Sequence, residues 1–203
     1  MPEYKLTYFN IRAIAEPIRY ILSYMGKEFE DVRIPLEQWP ALKNSTPFGK
    51  VPTLEINGKI FHQSDAICRF LANEAGLSGK TPEENLLIDQ IVGAIGDLKG
   101  EISKVVRAPD PETKEKNRQN VINEILPFCF GRFEQALQEN GGYLANGKLS
   151  WADLYLIGYS ESLPGILQIN LVEQYPHYRA LQDKVQALPG IKEWISRRPA
   201  SLF

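Results

Sequence analysis

Strand-like patterning ends near residue 62 of this 203-residue chain and does not return. Up to that point, strands and helices alternate. Lys5-Leu6-Thr7-Tyr8-Phe9 and Phe29-Glu30-Asp31-Val32-Arg33-Ile34 carry the aromatic and β-branched residues that suit strands. Thr53-Leu54-Glu55-Ile56 and Lys59-Ile60-Phe61-His62 flank Asn57-Gly58, a pair suited to a type I′ turn, and so predict a hairpin. Residues 13–25 place Ile14, Ile18, Ile21 and Leu22 at helical spacing and close on Gly26. Pro40 limits residues 37–43 to a short, irregular helix. Residues 64–74 put Ile67, Phe70 and Leu71 on one face and stop at Gly76. The predicted order is βαβ, a short helix, then ββα.

After the linker at 76–80 the texture is helical throughout. Thr81-Pro82-Glu83-Glu84 reads as a helix start, and Ile88, Ile91, Ile95, Leu98, Ile102 and Val105 then recur every three or four residues. A second long helix is expected over 112–139, kinked by Pro127. Leu149-Ser150-Trp151-Ala152-Asp153-Leu154 has the pattern of a capping box with a hydrophobic staple, a stability element. Shorter helices follow near 177–188 and 190–197. The expected class is therefore α/β followed by all-α, with units at 1–77 and 81–203. A net charge of −2 with no basic cluster argues against nucleic acid, and no run of 18 apolar residues predicts a membrane span. Two cysteines without metal-ligand spacing, two histidines and no signal-peptide pattern lead us to expect a cytoplasmic protein without a metal.

The βαβ-ββα order resembles the thioredoxin fold. Redox members carry a reactive cysteine in the turn after the first strand. Tyr8-Phe9-Asn10-Ile11-Arg12-Ala13 holds no thiol there, which excludes dithiol exchange at this place. Tyr8 is then either a strand aromatic or an O–H donor to a nearby anion. Thr46-Pro47-Phe48-Gly49-Lys50-Val51-Pro52 leads into the third predicted strand. About 5–6% of X–Pro bonds are cis. A cis Val51–Pro52 bond would turn the Val51 N–H and C=O outward, free to pair with an extended peptide. Ser64 either caps its own helix or helps that helix start hold a carboxylate. Together these features suggest a small anionic peptide with a thiol aimed at Tyr8.

The opening MPEYKLTYFNIRAIAEPIRY, the block TPFGKVPTLEINGKIFHQSDAI and the helix start LSWADLYL resemble the cytosolic glutathione transferases along nearly the whole chain, specifically the sigma class and its prostaglandin D synthase branch. The resemblance implies glutathione as co-substrate. Tyr8 would be the catalytic residue, donating to the glutathione sulfur. Trp39 and Lys43 would contact the glycine end, and Lys50 would add positive charge. Val51, beside Pro52, would pair with the cysteinyl backbone. Gln63 and Ser64 would hold the γ-glutamyl carboxylate, and Asp97 of the partner subunit would approach the γ-glutamyl ammonium in a homodimer. Phe9, Ile11, Ala13, Ile14, Lys104, Tyr155, Tyr159 and Phe203 would line the electrophile pocket.

Two departures limit what the resemblance implies. Ile14 stands where sigma members often carry an arginine, and Arg12 lies two residues earlier on a different face. Gly93 and Gly96 stand where the prostaglandin synthase places metal-binding aspartates, so no metal is expected there. With Gly100 they form one face of the long helix, which suggests close helix approach across a two-fold axis. The implied activities are conjugation of electrophiles in detoxification and reduction of organic hydroperoxides. The alternatives are prostaglandin D isomerisation and a non-catalytic S-crystallin-like structural or carrier role.

Overall fold

The computed structural model describes residues 3–171 and 173–201. Four strands form one sheet in the order β2-β1-β3-β4: β1 (Tyr4–Phe9), β2 (Glu30–Ile34), β3 (Thr53–Ile56) and β4 (Lys59–His62). β2 runs parallel to β1, whereas β3 pairs antiparallel with both β1 and β4. Asn57 and Gly58 have φ of 51° and 80°, as the predicted hairpin turn requires. The parallel pair needs a crossover, which α1 (Glu16–Tyr24) supplies after a single 3₁₀ turn at Ala13–Ala15. The short helix is α2 (Trp39–Leu42), and α3 (Ser64–Ala75) closes the unit at Gly76, in the left-handed conformation.

Helices α4 (Pro82–Val106), α5 (Pro111–Asn120), α6 (Leu126–Glu139), α7 (Trp151–Ser160), α8 (Leu163–Leu167), α9 (Pro176–Gln186) and α10 (Pro189–Arg197) make the rest. The helix expected over 112–139 is divided. Pro127 has no N–H to offer the carbonyl four residues back, and the chain widens into a π turn at Val121–Ile125 just before it. The five-residue α8 carries no periodicity that a sequence window can detect.

α1 sits between the sheet and the helices. α7 and α10 pack directly on it, and two glycines permit this. A Cβ at Gly158 would lie 3.0 Å from the Pro17 nitrogen, and one at Gly190 would collide with the Ser23 carbonyl. By contrast, among the described residues nothing beyond the helix's own backbone lies within 4 Å of a Cβ built at Gly93, Gly96 or Gly100, so close packing within the described chain does not call for these three glycines. Leu6, Ile18, Ile21 and Leu22 join Ile95, Leu98, Leu154 and Leu156 in one continuous apolar core. No helix among the described residues is long and apolar enough to cross a membrane.

Candidate active site

The register of the sheet brings the predicted residues to one end of it. Thr7 pairs with Thr53, and Thr53 pairs with His62. Tyr8 follows Thr7, Val51-Pro52 precedes Thr53 and Gln63 follows His62, so three neighbouring strands deliver them side by side at a spacing of about 4.8 Å per strand. β2 ends at the same edge, because Phe9 pairs with Ile34, and the chain passes from there into α2.

Tyr8 is 6% exposed, yet its hydroxyl has no hydrogen-bond partner among the described residues. Burial pushes that hydroxyl well above the usual tyrosine range, against the pull of Arg19 and Arg107. It therefore remains an O–H donor at any physiological pH. The Tyr8 ring stands 5.4 Å from Phe9, and Phe9 meets Trp39 edge-on at 5.3 Å. This aromatic chain carries the site to α2. One turn on, the exposed Lys43 has no ion-pair partner among the described residues, and its Cγ and Cε lie 3.4 Å from where a Gly49 Cβ would stand. Lys50 is exposed beside it.

The Val51–Pro52 bond is cis. Among the described residues neither the N–H nor the C=O of Val51 pairs with another backbone group. Gln63 occupies the position before α3 with φ 72° and ψ 102°, a conformation that side chains rarely adopt and that sequence reasoning did not expect. Ser64 is the first residue of the helix, not its cap: its Oγ donates to Asp65 Oδ1 at 3.1 Å. Among the described residues no side chain caps α3. Its first N–H groups are thus left for something else.

The remaining residues divide. Tyr159 is buried and its hydroxyl is pushed up by burial and by the nearby Tyr8. Ile11, Ala13 and Ile14 are half-buried against the core, with Ala13 at φ 37°. Lys104 is exposed, 2.6 Å from Glu101. Tyr155 is fully buried with its hydroxyl donating to Asp65, so it is not brought to the Tyr8 face. Asp97 is exposed on α4, about 200° around the helix from Lys99, which bonds Asp65, so Asp97 does not reach the Gln63 end of its own chain. Phe203 lies outside the described residues. Arg12 approaches Glu161 at 3.8 Å.

Arg19 belongs to the site's support and was missed. It is fully buried and donates to Glu16, Asp31 and the Ile11 carbonyl in the loop after Tyr8. Its signal was legible: an arginine among Ile18, Ile21 and Leu22, with Glu16 three residues earlier. Among the described residues no three His, Cys, Asp or Glu side chains gather as a metal would need.

Residues 4–73 match the glutathione S-transferase N-terminal domain and residues 96–198 the C-terminal domain of the same family. Glutathione S-transferase S1 of Drosophila melanogaster is 44% identical, over 98% of this chain and 80% of its own length. Hematopoietic prostaglandin D synthase of Gallus gallus is 40% identical over 98% of each chain. A solved structure of prostaglandin synthase D of Nilaparvata lugens superimposes with a TM-score of 0.94 at 47% identity, over 98% of this chain and 99% of that one.

Proposed function

The chain belongs to the glutathione S-transferase family, and we propose that it works as a cytoplasmic, homodimeric sigma-class enzyme. It adds the glutathione thiolate to small hydrophobic electrophiles, a detoxifying reaction, and reduces organic hydroperoxides with the same thiolate. The observation that carries this reading is the unpartnered hydroxyl of the buried Tyr8 beside the unpaired Val51 backbone and the uncapped start of α3.

A cysteine thiol with a pKa near 8.5 is mostly protonated at pH 7, and each unit of lowering needs about 1.4 kcal/mol. A donor O–H that stays protonated at neutral pH, on a side chain only 6% exposed, supplies that preference for the thiolate. Val51 pairs with the cysteinyl backbone and fixes the sulfur in front of Tyr8. Gln63, Ser64 and the N–H groups of α3 receive the γ-glutamyl carboxylate. Lys43 meets the glycine carboxylate, Trp39 packs beside it, and Lys50 adds positive charge. Asp97 of the partner subunit completes the γ-glutamyl end, and Gly93, Gly96 and Gly100 let the two α4 helices approach. Residues 1–77 hold glutathione, while 81–203 supply the electrophile pocket and the dimer surface. Ile11, Ala13, Ile14 and Tyr159 offer the acceptor an apolar wall, with Lys104 and Arg107 at its rim.

Retention on immobilised glutathione, with conjugation of a dinitrobenzene electrophile, tests this reading. A chain that binds no glutathione overturns it, and one that binds without turnover is a carrier or a structural protein. Isomerisation of prostaglandin H is the second reading, favoured by the likeness to the two prostaglandin synthases and disfavoured by Ile14. An assay panel of hydroperoxides, unsaturated aldehydes and prostaglandin H ranks the acceptors.

A further inference from the structure

Asp65 puts an anionic side chain in the first turn of α3, beside the place just assigned to a carboxylate. Two like charges there repel each other. The helical unit reaches across to meet this charge. Lys99 Nζ lies 2.7 Å from Asp65 Oδ1, and the Tyr155 hydroxyl and Ser64 Oγ donate to the same oxygen. Lys99 Nζ also lies 2.7 Å from the Tyr155 oxygen and 4.9 Å above the centre of its ring. The Lys99 side chain is only 16% exposed, and that of Asp65 is 49% exposed. Three elements, α3, α4 and α7, thus meet at one carboxylate oxygen. Although burial opposes it, Lys99 with these donors holds Asp65 below the usual carboxylate range, so the carboxyl is ionised at neutral pH. Helix stability alone does not call for the lysine, because an acidic residue in the first turn already suits the helix dipole.

We propose that Lys99 is a positioning residue that masks the charge of Asp65, so that the start of α3 accepts the γ-glutamyl carboxylate of glutathione instead of repelling it. Tyr155 holds Lys99 and Asp65 in register from α7, which ties the glutathione seat to the helical unit. This inference rests on the glutathione reading above and adds a residue outside the implied contact set.

Steady-state kinetics at saturating electrophile test it. Lys99→Met is expected to raise KM for glutathione about tenfold with kcat within about twofold, the sign of lost ground-state binding from an unmasked charge. The Lys99→Met/Asp65→Asn double variant is expected to return KM to within about twofold of the original, since neither charge is then present. Asp65→Asn alone, which keeps the side-chain shape, leaves KM unchanged or lowers it. A glutathione analogue without the γ-glutamyl α-carboxylate should inhibit the original chain and Lys99→Met equally. An unchanged KM in Lys99→Met, or a double variant as weak as the single one, overturns the proposal. So does a tenfold KM increase in Asp65→Asn, which would make Asp65 a direct contact. Calorimetry separates the two levels: no glutathione binding by the unaltered chain removes the functional reading as well, whereas binding that is indifferent to Lys99 removes only the masking.

Discussion

The end of the sheet and the core of the helical unit treat buried polar groups in opposite ways. In the helical unit most have partners inside the chain, the Trp151 indole N–H being an exception among the described residues. Asp153 accepts from the backbone N–H of Leu144 and Ser150 and from Ser150 Oγ, the Ser160 and Tyr178 hydroxyls bond each other, and Glu161 takes Tyr20, Gln186 and Arg198. At the sheet end, the Tyr8 hydroxyl, the Val51 backbone and the α3 start have none among the described residues or no cap. A native chain rarely leaves such groups idle. Groups with partners mark what the fold needs; the three unpartnered groups gathered at one end of the sheet mark what a ligand is expected to complete.

The largest effect should come from the boundary between the two regimes. Arg19 is buried with two carboxylates, Glu16 and Asp31, and Arg19→Ala leaves both without it. Urea unfolding should show a loss of about 3–5 kcal/mol. A loss below about 1 kcal/mol would mean that this cluster does not support the fold.

Tyr8→Phe should do the reverse: little to stability and much to catalysis. Removing one donor to a developing or stabilised anion lowers kcat/KM roughly 10²–10³-fold, about 2.7–4 kcal/mol. Since no group among the described residues hydrogen-bonds that hydroxyl, the unfolding free energy should move by less than about 1 kcal/mol. Activity that survives the change would break the comparison at its centre.

Asp153 offers a pH test of the helical side. Burial raises its carboxyl to about 6, above the usual carboxylate range, despite the backbone and serine donors. The folded chain thus holds this proton more tightly than the unfolded one. The group's contribution to stability is complete below about pH 4, declines as pH rises to about 6 and is flat above. The difference in unfolding free energy between the original chain and Asp153→Asn should therefore change by about 2–3 kcal/mol across that window and hold steady from pH 6 to 8. A flat difference from pH 4 to 6 would contradict the raised value.

The smallest effect should sharpen the contrast. Gln63 sits at φ 72° before α3. Gln63→Gly relieves that backbone at some entropic cost, so stability should rise by up to about 1 kcal/mol while KM for glutathione also rises. Stability gained and binding lost in one substitution is the behaviour of a residue held for a ligand. A gain in both would remove that role.

Much of this was legible in the residues. Strand alternation, the Asn57-Gly58 turn, the Thr81 cap and the Ser150–Asp153 box are local signals, and each appears where the sequence put it. That Tyr8, Val51 and Gln63 belong together was suggested only by resemblance, since each residue alone has a bland reading; the sheet register brings them to one end. α8, the π turn and the backbone of Gln63 were not legible, because they answer to packing and to a neighbouring proline rather than to a repeating pattern. Lys99 left a trace, lying between Ile95 and Ile102 on the buried stripe of α4, but its partner is 34 residues away on another helix.

The amino-acid sequence by itself determined the elements, their order and the chemical kinds of group available, because these follow from spacing within a few residues. Only the tertiary structure decided which polar groups find partners and which do not. That outcome depends on contacts such as Tyr155 with Asp65, 90 residues apart, and on the register that aligns Thr7, Thr53 and His62. The same side chain, tyrosine, closes a network at 155 and stands open at 8 because burial and partners, not residue type, set its role.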